Sequence, residues 1–309
     1  MRVLVTGSSG FVGHHLIAEL QAHGHTALGL DTVASPDLSD DAQYIASVVD
    51  APAVEQWIEQ SQPDACIHLA GIAFVPRGWS HPHEVMDVNV GGTLNILESF
   101  RRCRPAARIL VVTSAEVYGR AKRPEPVRET HALKPSNIYG VSKAAADLTS
   151  LLYYPHYELP VMTARPQNHI GPGQSRLFVV TAFAEQVREI ARSGDANGVL
   201  RVGNLDSRRD FTDVRDVVHA YRLLIERGEP GQAYNIASAR MVPIRDMLDQ
   251  LCAHAGITPR LERDESRYRP TDRPPRLSID KIANDVGWRP SIPLTQTLND
   301  IYDTLVAGA

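Results

Sequence analysis

The chain has 309 residues, of which 43% are hydrophobic and 22% charged, and its formal net charge at pH 7 is −4. This composition is typical of a globular protein with a sizeable core, and the charge excludes the strongly basic surface that nucleic-acid-binding proteins use. No apolar run reaches the ~18 residues that span a bilayer, and a strand predicted by Arg2 leaves no room for a signal peptide. Cys66, Cys103 and Cys252 stand far apart, so we expect reduced thiols in a cytoplasmic protein.

The predicted elements alternate between strands and helices in the first half of the chain. Strands are predicted at residues 3–6, 25–31, 65–70, 109–114, 161–165 and 233–237, and helices from the first glycines through 20, at about 88–101, from 139 onward and at 213–227. Strands that alternate with helices form a parallel sheet covered on both faces, and right-handed crossovers then predict a doubly wound α/β sheet.

The regular alternation ends after residue 165. Residues 167–208 combine a Gly/Pro-rich loop, an apolar stretch and a helix with polar interruptions. We therefore expect residues 1–166 plus about 209–237 to form a nucleotide-binding domain. About 167–208 plus 238–309 would form a smaller C-terminal α/β domain for the substrate, with the chain crossing between the two more than once.

A glycine motif follows the first predicted strand. Gly7, Gly10 and Gly13 allow a tight turn, the close approach of a pyrophosphate and close packing of helix on strand, and the helix N-terminus supplies free N–H groups to the phosphates. Asp31 ends the second predicted strand, 18 residues after Gly13. A carboxylate there binds both ribose hydroxyls of NAD and repels the 2′-phosphate of NADP, so NAD(H) is favoured. The alternative role of Asp31 is a helix N-cap.

Tyr139 and Lys143 are spaced by four residues, which places both side chains on one face of a helix, roughly 6 Å apart. A buried ammonium beside a phenol favours the phenolate, so Tyr139 is predicted to exchange protons nearer to neutral pH than its free pKa of about 10. An enzyme that moves a hydride to or from a carbinol carbon needs such a group. A solvated helix face is the alternative interpretation of this spacing on its own.

Ordered motifs along the whole chain resemble those of one known family. They are the glycine motif, His68-Leu69-Ala70-Gly71, Asn89-Val90-Gly91-Gly92-Thr93, Ser114 to Gly119, the Tyr139/Lys143 pair, Arg209-Asp210-Phe211-Thr212-Asp213-Val214 and Gly287-Trp288-Arg289-Pro290. By these motifs the chain is identified as a member of the extended short-chain dehydrogenase/reductase family of nucleotide-sugar epimerases, dehydratases and reductases. The resemblance implies a Rossmann fold that binds NAD(H), with NADP(H) as the alternative.

The resemblance also implies roles for the matched residues. Tyr139 would be the acid/base at the sugar oxygen, Lys143 would lower its pKa and hold the nicotinamide ribose, and Ser114 would hydrogen-bond the reacting carbonyl or alkoxide. The cofactor cleft would be formed by Gly7, Gly10, Phe11, Val12, Gly13, Asp31, Ser47, Val48, Leu69, Ala70, Gly71, Asn89, Val112, Tyr139, Lys143 and Pro166. Relatives usually have Asp-Leu or Asp-Ile against the adenine where this chain has Ser47-Val48, so adenine recognition would be weaker or would rely on Val48 packing and backbone groups.

The segment from Arg165 to Gln174 resembles a loop of one subgroup, which comprises reductases of GDP-4-keto-6-deoxy-D-mannose and GDP-mannose dehydratases; later segments match the reductases better. The resemblance implies that Asn168, Arg209 and Arg269 contact the nucleotide diphosphate and that Asp272 contacts a ribose. Guanidinium forks suit phosphate oxygens, although a surface salt bridge is the more common use of an arginine. Further candidates for substrate contacts are Val179, Arg188 and His169, the last of which has a structural role as its alternative.

Three reactions remain open. A reductase would deliver hydride to C4 of a 4-keto-6-deoxyhexose; with GDP-4-keto-6-deoxymannose this yields GDP-D-rhamnose, or the C4 epimer if the sugar presents its other face. A 4-epimerase would use the same residues with a tightly held NAD. A 4,6-dehydratase would use Glu116 to remove the C5 proton, although Ala115 stands where several dehydratases carry a polar residue. A non-catalytic NAD(P) sensor is a fourth possibility, which the retention of Ser114, Tyr139 and Lys143 disfavours.

The family usually forms homodimers through a four-helix bundle. Here the helices near 88–101 and around Tyr139 would form it, with apolar side chains from Leu94, Ile96, Leu97, Leu148, Leu151 and Leu152; the alternative is that these residues only face the sheet. No metal site is predicted, because the histidine pairs His14/His15 and His81/His83 lack ligand spacing with partners on one face.

Overall fold

The computed structural model describes residues 1–120, 125–195, 197–265 and 274–308. The strands of this part of the chain are β1 (Arg2–Thr6), β2 (Thr26–Asp31), β3 (Gln43–Ile45), β4 (Ala65–His68), β5 (Arg108–Val112), β6 (Val161–Pro166), β7 (Asn168–Ile170), β8 (Val199–Val202), β9 (Arg208–Asp213), β10 (Ala233–Ile236), β11 (Met241–Pro243) and β12 (Arg260–Arg263).

The α-helices of the same part are α1 (Phe11–Ala22), α2 (Ala51–Ser61), α3 (Val75–Ser80), α4 (Pro82–Met86), α5 (Gly92–Cys103), α6 (Ile138–Tyr157), α7 (Val179–Ser193), α8 (Val214–Arg227), α9 (Ile244–Ala255), α10 (Asp280–Val286) and α11 (Leu294–Ala307). A π-helical turn, Asp87–Gly91, leads into α5, and short 3-10 turns occupy Asp40–Ala42 and Ala115–Tyr118.

Seven strands form one parallel sheet in the order β10-β6-β5-β4-β1-β2-β3. Helices cover both of its faces, with α1 and α8 in one hydrophobic cluster and α2 and α5 in another. This arrangement confirms the predicted doubly wound sheet. The strand order reverses between β1 and β4, and the crevice outside the carboxyl ends of strands at such a switch point is where this fold binds its ligands.

A smaller unit carries a mixed sheet, β11-β9-β7, and a parallel pair, β12-β8. Helices α7, α9 and α11 pack with these strands around a separate hydrophobic cluster. Two segments differ from the predicted domain boundaries. Strand β9 belongs to the small sheet, so the chain returns to the large unit at α8, and Ile282, Val286 and Trp288 pack into the core of the large sheet although they come late in the chain.

The strongly apolar or glycine-flanked elements were predicted to within a few residues, whereas shorter elements were missed. Helix α2 begins after Asp50, whose side chain accepts a hydrogen bond from the Ala53 N–H, and Pro52 occupies its first turn. This capping signature was readable in the sequence. Strand β3 and the strands of the small sheet have three to six residues each, and they depend on partners that are distant along the chain.

Candidate active site

A cavity of about 1540 Å³ lies at the switch point of the large sheet and extends to the smaller unit. Its walls include the loop after β1, the ends of β2 and β5, the start of α6, and residues of β7, α7 and β9. Both units therefore contribute to one site, as expected for a cleft that holds a cofactor on one side and a substrate on the other.

The glycine loop fits a dinucleotide. Gly7 has a φ of 73°, in the left-handed region that favours glycine, and an added Cβ would lie 3.0 Å from the Ala70 backbone nitrogen. At Gly13 a Cβ would overlap the carbonyl oxygens of Gly7 and Ser8. Helix α1 starts directly after this loop without a side-chain cap at Gly10, so its first N–H groups are open to a phosphate.

Asp31 lies at the end of β2 and lines the cavity. Its carboxylate accepts hydrogen bonds from the Ser9 N–H at 3.0 Å, the Ser9 hydroxyl at 2.6 Å and the Thr32 N–H at 2.7 Å. The next helical segment begins nine residues later, at Asp40, so Asp31 is not a helix N-cap. The carboxylate is held beside the glycine loop, where a ribose would lie in this fold.

Ser47 and Val48 also line the cavity on this side. The Val48 side chain is 5% exposed and packs so closely on α5 that a Cβ at Gly92 would come 2.6 Å from it. Its carbonyl oxygen accepts a hydrogen bond from Asn95 at 2.9 Å. In place of the usual Asp-Leu or Asp-Ile pair, the wall here has the Ser47 hydroxyl and the closely packed Val48 side chain.

The structure brings Ser114, Tyr139 and Lys143 to one wall of the cavity. Ser114 follows β5, and its hydroxyl accepts a hydrogen bond from the Glu116 N–H at 3.2 Å. Tyr139 is the second residue of α6, and Lys143, one turn later, donates from Nζ to the Val112 carbonyl at 3.0 Å. Both side chains of α6 are buried, so the solvated-face alternative does not describe them.

The predicted direction of the Tyr139 pKa is wrong in this structure. Burial raises the pKa of Tyr139 to about 12 and the Glu116 carboxylate adds to the rise, while a hydrogen bond with Ser114 acts in the opposite direction. Burial lowers the pKa of Lys143 to about 8. The prediction counted only the attraction between ammonium and phenolate, whereas loss of water around the phenol has the larger effect here.

Glu116 is positioned by a residue that the sequence analysis did not name. Asn137 donates from Nδ2 to Oε2 of Glu116 at 2.9 Å, and its Oδ1 accepts from the Gly140 N–H at 2.7 Å as the N-cap of α6. An asparagine directly before a helical stretch is a recognisable capping signal, but its second contact depends on the fold.

Asn89 lies one layer behind the cavity wall. It is 1% exposed, its Oδ1 accepts from the Ile72 N–H at 2.8 Å, and its Nδ2 donates to Ser142 on α6 at 2.9 Å. The resemblance implied that Asn89 lines the cofactor cleft. In the structure Asn89 instead connects the loop after β4 to the helix that carries Tyr139 through these hydrogen bonds. The remaining predicted cofactor residues line the cavity: Phe11, Val12, Leu69, Ala70, Gly71, Val112 and Pro166.

On the substrate side, Asn168, His169, Val179 and Arg209 line the cavity. His169 is half-buried, its pKa is lowered by desolvation, and its ring stacks on Phe11 with 6.3 Å between centroids. This contact links the substrate loop to the cofactor helix α1. Sequence reasoning did not assign several further lining residues as contacts: Gln174, Arg176, Glu185, Gln186 and Glu189.

Among the described residues, one predicted substrate contact, Arg188, is not part of this wall. The Arg188 guanidinium donates to the carbonyl of Leu305 on α11 at 3.1 Å, so α7 turns this side chain away from the cavity toward the neighbouring helix. Arg269 and Asp272 lie outside the described residues. Within the described ranges, no group of three or more His, Cys, Asp or Glu side chains is arranged to hold a metal ion, and no helix is long and apolar enough to cross a membrane.

A doubly wound sheet with a glycine loop, an acidic residue at the end of β2 and a Ser/Tyr/Lys wall defines an NAD(P)-dependent oxidoreductase. Comparison with known proteins agrees: a family model described as "GDP-mannose 4,6 dehydratase" matches residues 4–301. The chain belongs to this family of nucleotide-sugar-modifying enzymes, within the extended short-chain dehydrogenases/reductases.

Individual relatives cover the whole chain. The GDP-6-deoxy-D-mannose reductase of Pseudomonas aeruginosa is 36% identical over 97% of this chain and 95% of its own length. The structure of RMD from Pseudomonas aeruginosa complexed with NADPH has a TM-score of 0.88 at 33% identity and covers 100% of this chain and 99% of that one. The UDP-glucose 4-epimerase of Thermus thermophilus complexed with NAD has a TM-score of 0.89 at 27% identity and covers all of both chains.

Proposed function

We propose that the protein reduces the C4 keto group of GDP-4-keto-6-deoxy-D-mannose to give GDP-D-rhamnose. The observation that carries this proposal is the buried Tyr139 phenol beside Ser114, whose raised pKa keeps it protonated at neutral pH. A reductase needs the protonated form, because a proton must reach the oxygen at C4 as the carbonyl is reduced. General acid catalysis of this kind contributes roughly 10²–10⁴-fold.

A reduced nicotinamide nucleotide held at the glycine loop and Asp31 would supply the hydride. Tyr139 donates its proton to the oxygen at C4, and Ser114 donates a hydrogen bond that orients the carbonyl. Lys143, with its pKa lowered to about 8, is close to the point where it takes up a proton, so it is suited to return one to Tyr139.

NADH is the proposed cofactor, because the Asp31 carboxylate is held beside the glycine loop by Ser9 and Thr32. The described arginines that line the cavity are Arg176 and Arg209, both beyond the large sheet, so neither is placed to offset Asp31 against a 2′-phosphate. One relative was solved with NADPH and another with NAD, so the choice is a property to be measured for each chain.

The nucleotide diphosphate is proposed to lie along β7, β9 and the start of α7. Arg209 offers a guanidinium there, and Asn168 an amide. Glu185 and Glu189 of α7 line the same side, and their carboxylates suit the N1–H and amino donors of guanine. A GDP-sugar also agrees with the name of the 36% identical relative.

We propose a cytoplasmic location, since the three cysteines of the chain are free thiols.

A homodimer is proposed through α5 and α6. Leu94, Leu148 and Leu152 are 36%, 55% and 66% exposed, so these helices present apolar surface. Ile96 and Leu97 are fully buried against the sheet and would not take part, although both were predicted to. Val141, near the start of α6, is also exposed and extends the apolar surface.

The second candidate is a 4,6-dehydratase, which Glu116 in the cavity and the description of the matched family both favour. One assay separates the reactions. The purified protein is mixed with GDP-4-keto-6-deoxymannose and NADH, and in a separate reaction with NADPH. Absorbance at about 340 nm is followed, with Tyr139→Phe as the control. Stoichiometric loss of the reduced cofactor, absent in the variant, supports the reductase. No loss of reduced cofactor, with conversion of GDP-mannose in a parallel incubation, supports the dehydratase. No loss, with NAD tightly bound to the purified protein, supports an epimerase.

A further inference from the structure

Tyr221 of α8 is fully buried, and its hydroxyl has no hydrogen-bond partner among the described residues. The same side chain lines the cavity. Tyr234 of β10 offers a direct comparison, because it is equally buried in the same hydrophobic cluster. The Tyr234 hydroxyl, however, meets the Glu229 N–H at 2.9 Å and the Asp285 carboxylate at 3.1 Å.

An unpartnered buried hydroxyl makes the folded protein less stable than a phenylalanine in the same place would. The ring of Tyr221 fills the space between α8 and the large sheet, and the ring alone would suffice for that packing. The hydroxyl therefore does nothing for the fold by itself. Its position on the cavity wall indicates that its hydrogen-bond partner is an acceptor atom of a ligand that occupies the cavity.

The hydroxyl is a donor under all physiological conditions. Burial raises the pKa of Tyr221 far above its ordinary value, and the proximity of Tyr139 adds to the rise. Tyr221 lines the same cavity as Tyr139. Because α8 packs on α1 and on the large sheet, Tyr221 lies on the large-sheet side of this cavity, which the glycine loop also lines.

We propose that Tyr221 is a cofactor-binding residue, whose hydroxyl donates a hydrogen bond to an oxygen of the nicotinamide nucleotide. The dinucleotide is rich in acceptors, with phosphate, ribose and carboxamide oxygens. The substrate is the less suitable partner, because its proposed contacts come from β7, β9 and α7 in the smaller unit. The inference depends on the cofactor that the family uses and not on the identity of the sugar.

The test compares Tyr221→Phe with Tyr234→Phe in the full-length protein after bound nucleotide has been removed with charcoal. NADH and NADPH are titrated by calorimetry, and unfolding of the cofactor-free protein is followed in urea. For Tyr221→Phe we expect about a tenfold weaker Kd for the better-bound cofactor and an unfolding midpoint equal to or above that of the wild type. For Tyr234→Phe we expect the reverse pattern, an unchanged Kd and a lower midpoint.

Either of two results overturns the proposal. An unchanged Kd in Tyr221→Phe means that the hydroxyl does not contact the cofactor. A drop in the midpoint as large as that of Tyr234→Phe means that the hydroxyl is already satisfied within the folded protein. Neither readout needs a sugar substrate, so a wrong assignment of the reaction would leave this result intact.

Discussion

Asn137 holds Glu116 at 2.9 Å with its amide nitrogen while its amide oxygen caps the helix that carries Tyr139. One side chain therefore sets the position of a cavity carboxylate and the start of the helix that carries Tyr139 together. Because both contacts come from a single rigid amide group, a shift of the helix and a shift of the carboxylate are coupled.

Asn137→Ala is expected to lower the free energy of unfolding by about 1 kcal/mol through loss of the cap. It should also lower kcat, since the start of the helix that carries Tyr139 loses its cap. Asp50→Ala is the matched control: Asp50 caps α2 by the same type of bond to the Ala53 N–H, and α2 contributes no residue to the cavity wall. Urea unfolding and steady-state kinetics of both variants are the measurements. Equal kcat values for the two variants would contradict the coupling.

Lys143 makes the stability depend on pH. Its pKa falls from 10.5 to about 8 on folding, so between these values the unfolded chain binds more protons and the free energy of unfolding rises with pH. Between about pH 7.5 and about pH 10 the gain is roughly 2 kcal/mol. Lys143→Met removes the titrating group, so its stability should lack this rise. Parallel urea titrations at the two pH values measure the difference; equal slopes for both proteins would contradict the burial effect.

Asp31→Asn is expected to weaken NADH binding by about tenfold or more, because charge-assisted hydrogen bonds to the ribose are lost. NADPH binding should improve relative to NADH, since repulsion of the 2′-phosphate disappears. Asp37→Asn is the control, because Asp37 pairs with His14 and is not among the lining residues. Fluorescence titration with both cofactors gives the ratio of dissociation constants, and a ratio unchanged from the wild type would count against NADH preference.

Arg209 and Arg188 should respond differently to the same change. Arg209→Ala removes a guanidinium from the cavity and is expected to raise KM for the nucleotide sugar by about tenfold or more. Arg188→Ala removes a contact to the Leu305 carbonyl, so it should lower the unfolding midpoint and leave KM unchanged. Steady-state kinetics and urea unfolding of both variants test this. A raised KM for Arg188→Ala would show that Arg188 contributes to substrate binding after all, against this expectation.

Leu148→Glu and Leu152→Glu are each expected to yield a monomer, because a charge in the centre of an apolar interface costs more than the contact stabilises. Val306→Glu on α11 is the control, since Val306 is also about half exposed but lies on a different helix. Light scattering at micromolar concentration reports the mass. A wild-type protein that is itself monomeric would refute the dimer.

The fold class and the grouping of Ser114, Tyr139 and Lys143 in one site were predictable from local signals. A strand that ends at a glycine turn, Asp31 at the end of the next strand, and the four-residue spacing of Tyr139 and Lys143 are each contained in a short stretch of sequence. Repeated strand–helix alternation then leaves few topologies, because crossovers have a fixed hand. The structure retains these features because the geometry of a strand end and of a helical turn fixes the relative positions of residues that are close in sequence.

Only the tertiary structure decided the rest. Arg188 and Arg209 look alike in the sequence, but one turns toward α11 and the other lines the cavity, because helix and strand packing sets the direction of each side chain. The pKa of Tyr139 rises instead of falling, since desolvation depends on everything that surrounds the phenol. The unpaired hydroxyl of Tyr221 carries no sequence signal, because hydrogen-bond satisfaction is a property of the assembled core. Local geometry can thus be predicted from the sequence, whereas burial, charge environment and side-chain direction arise only from long-range packing.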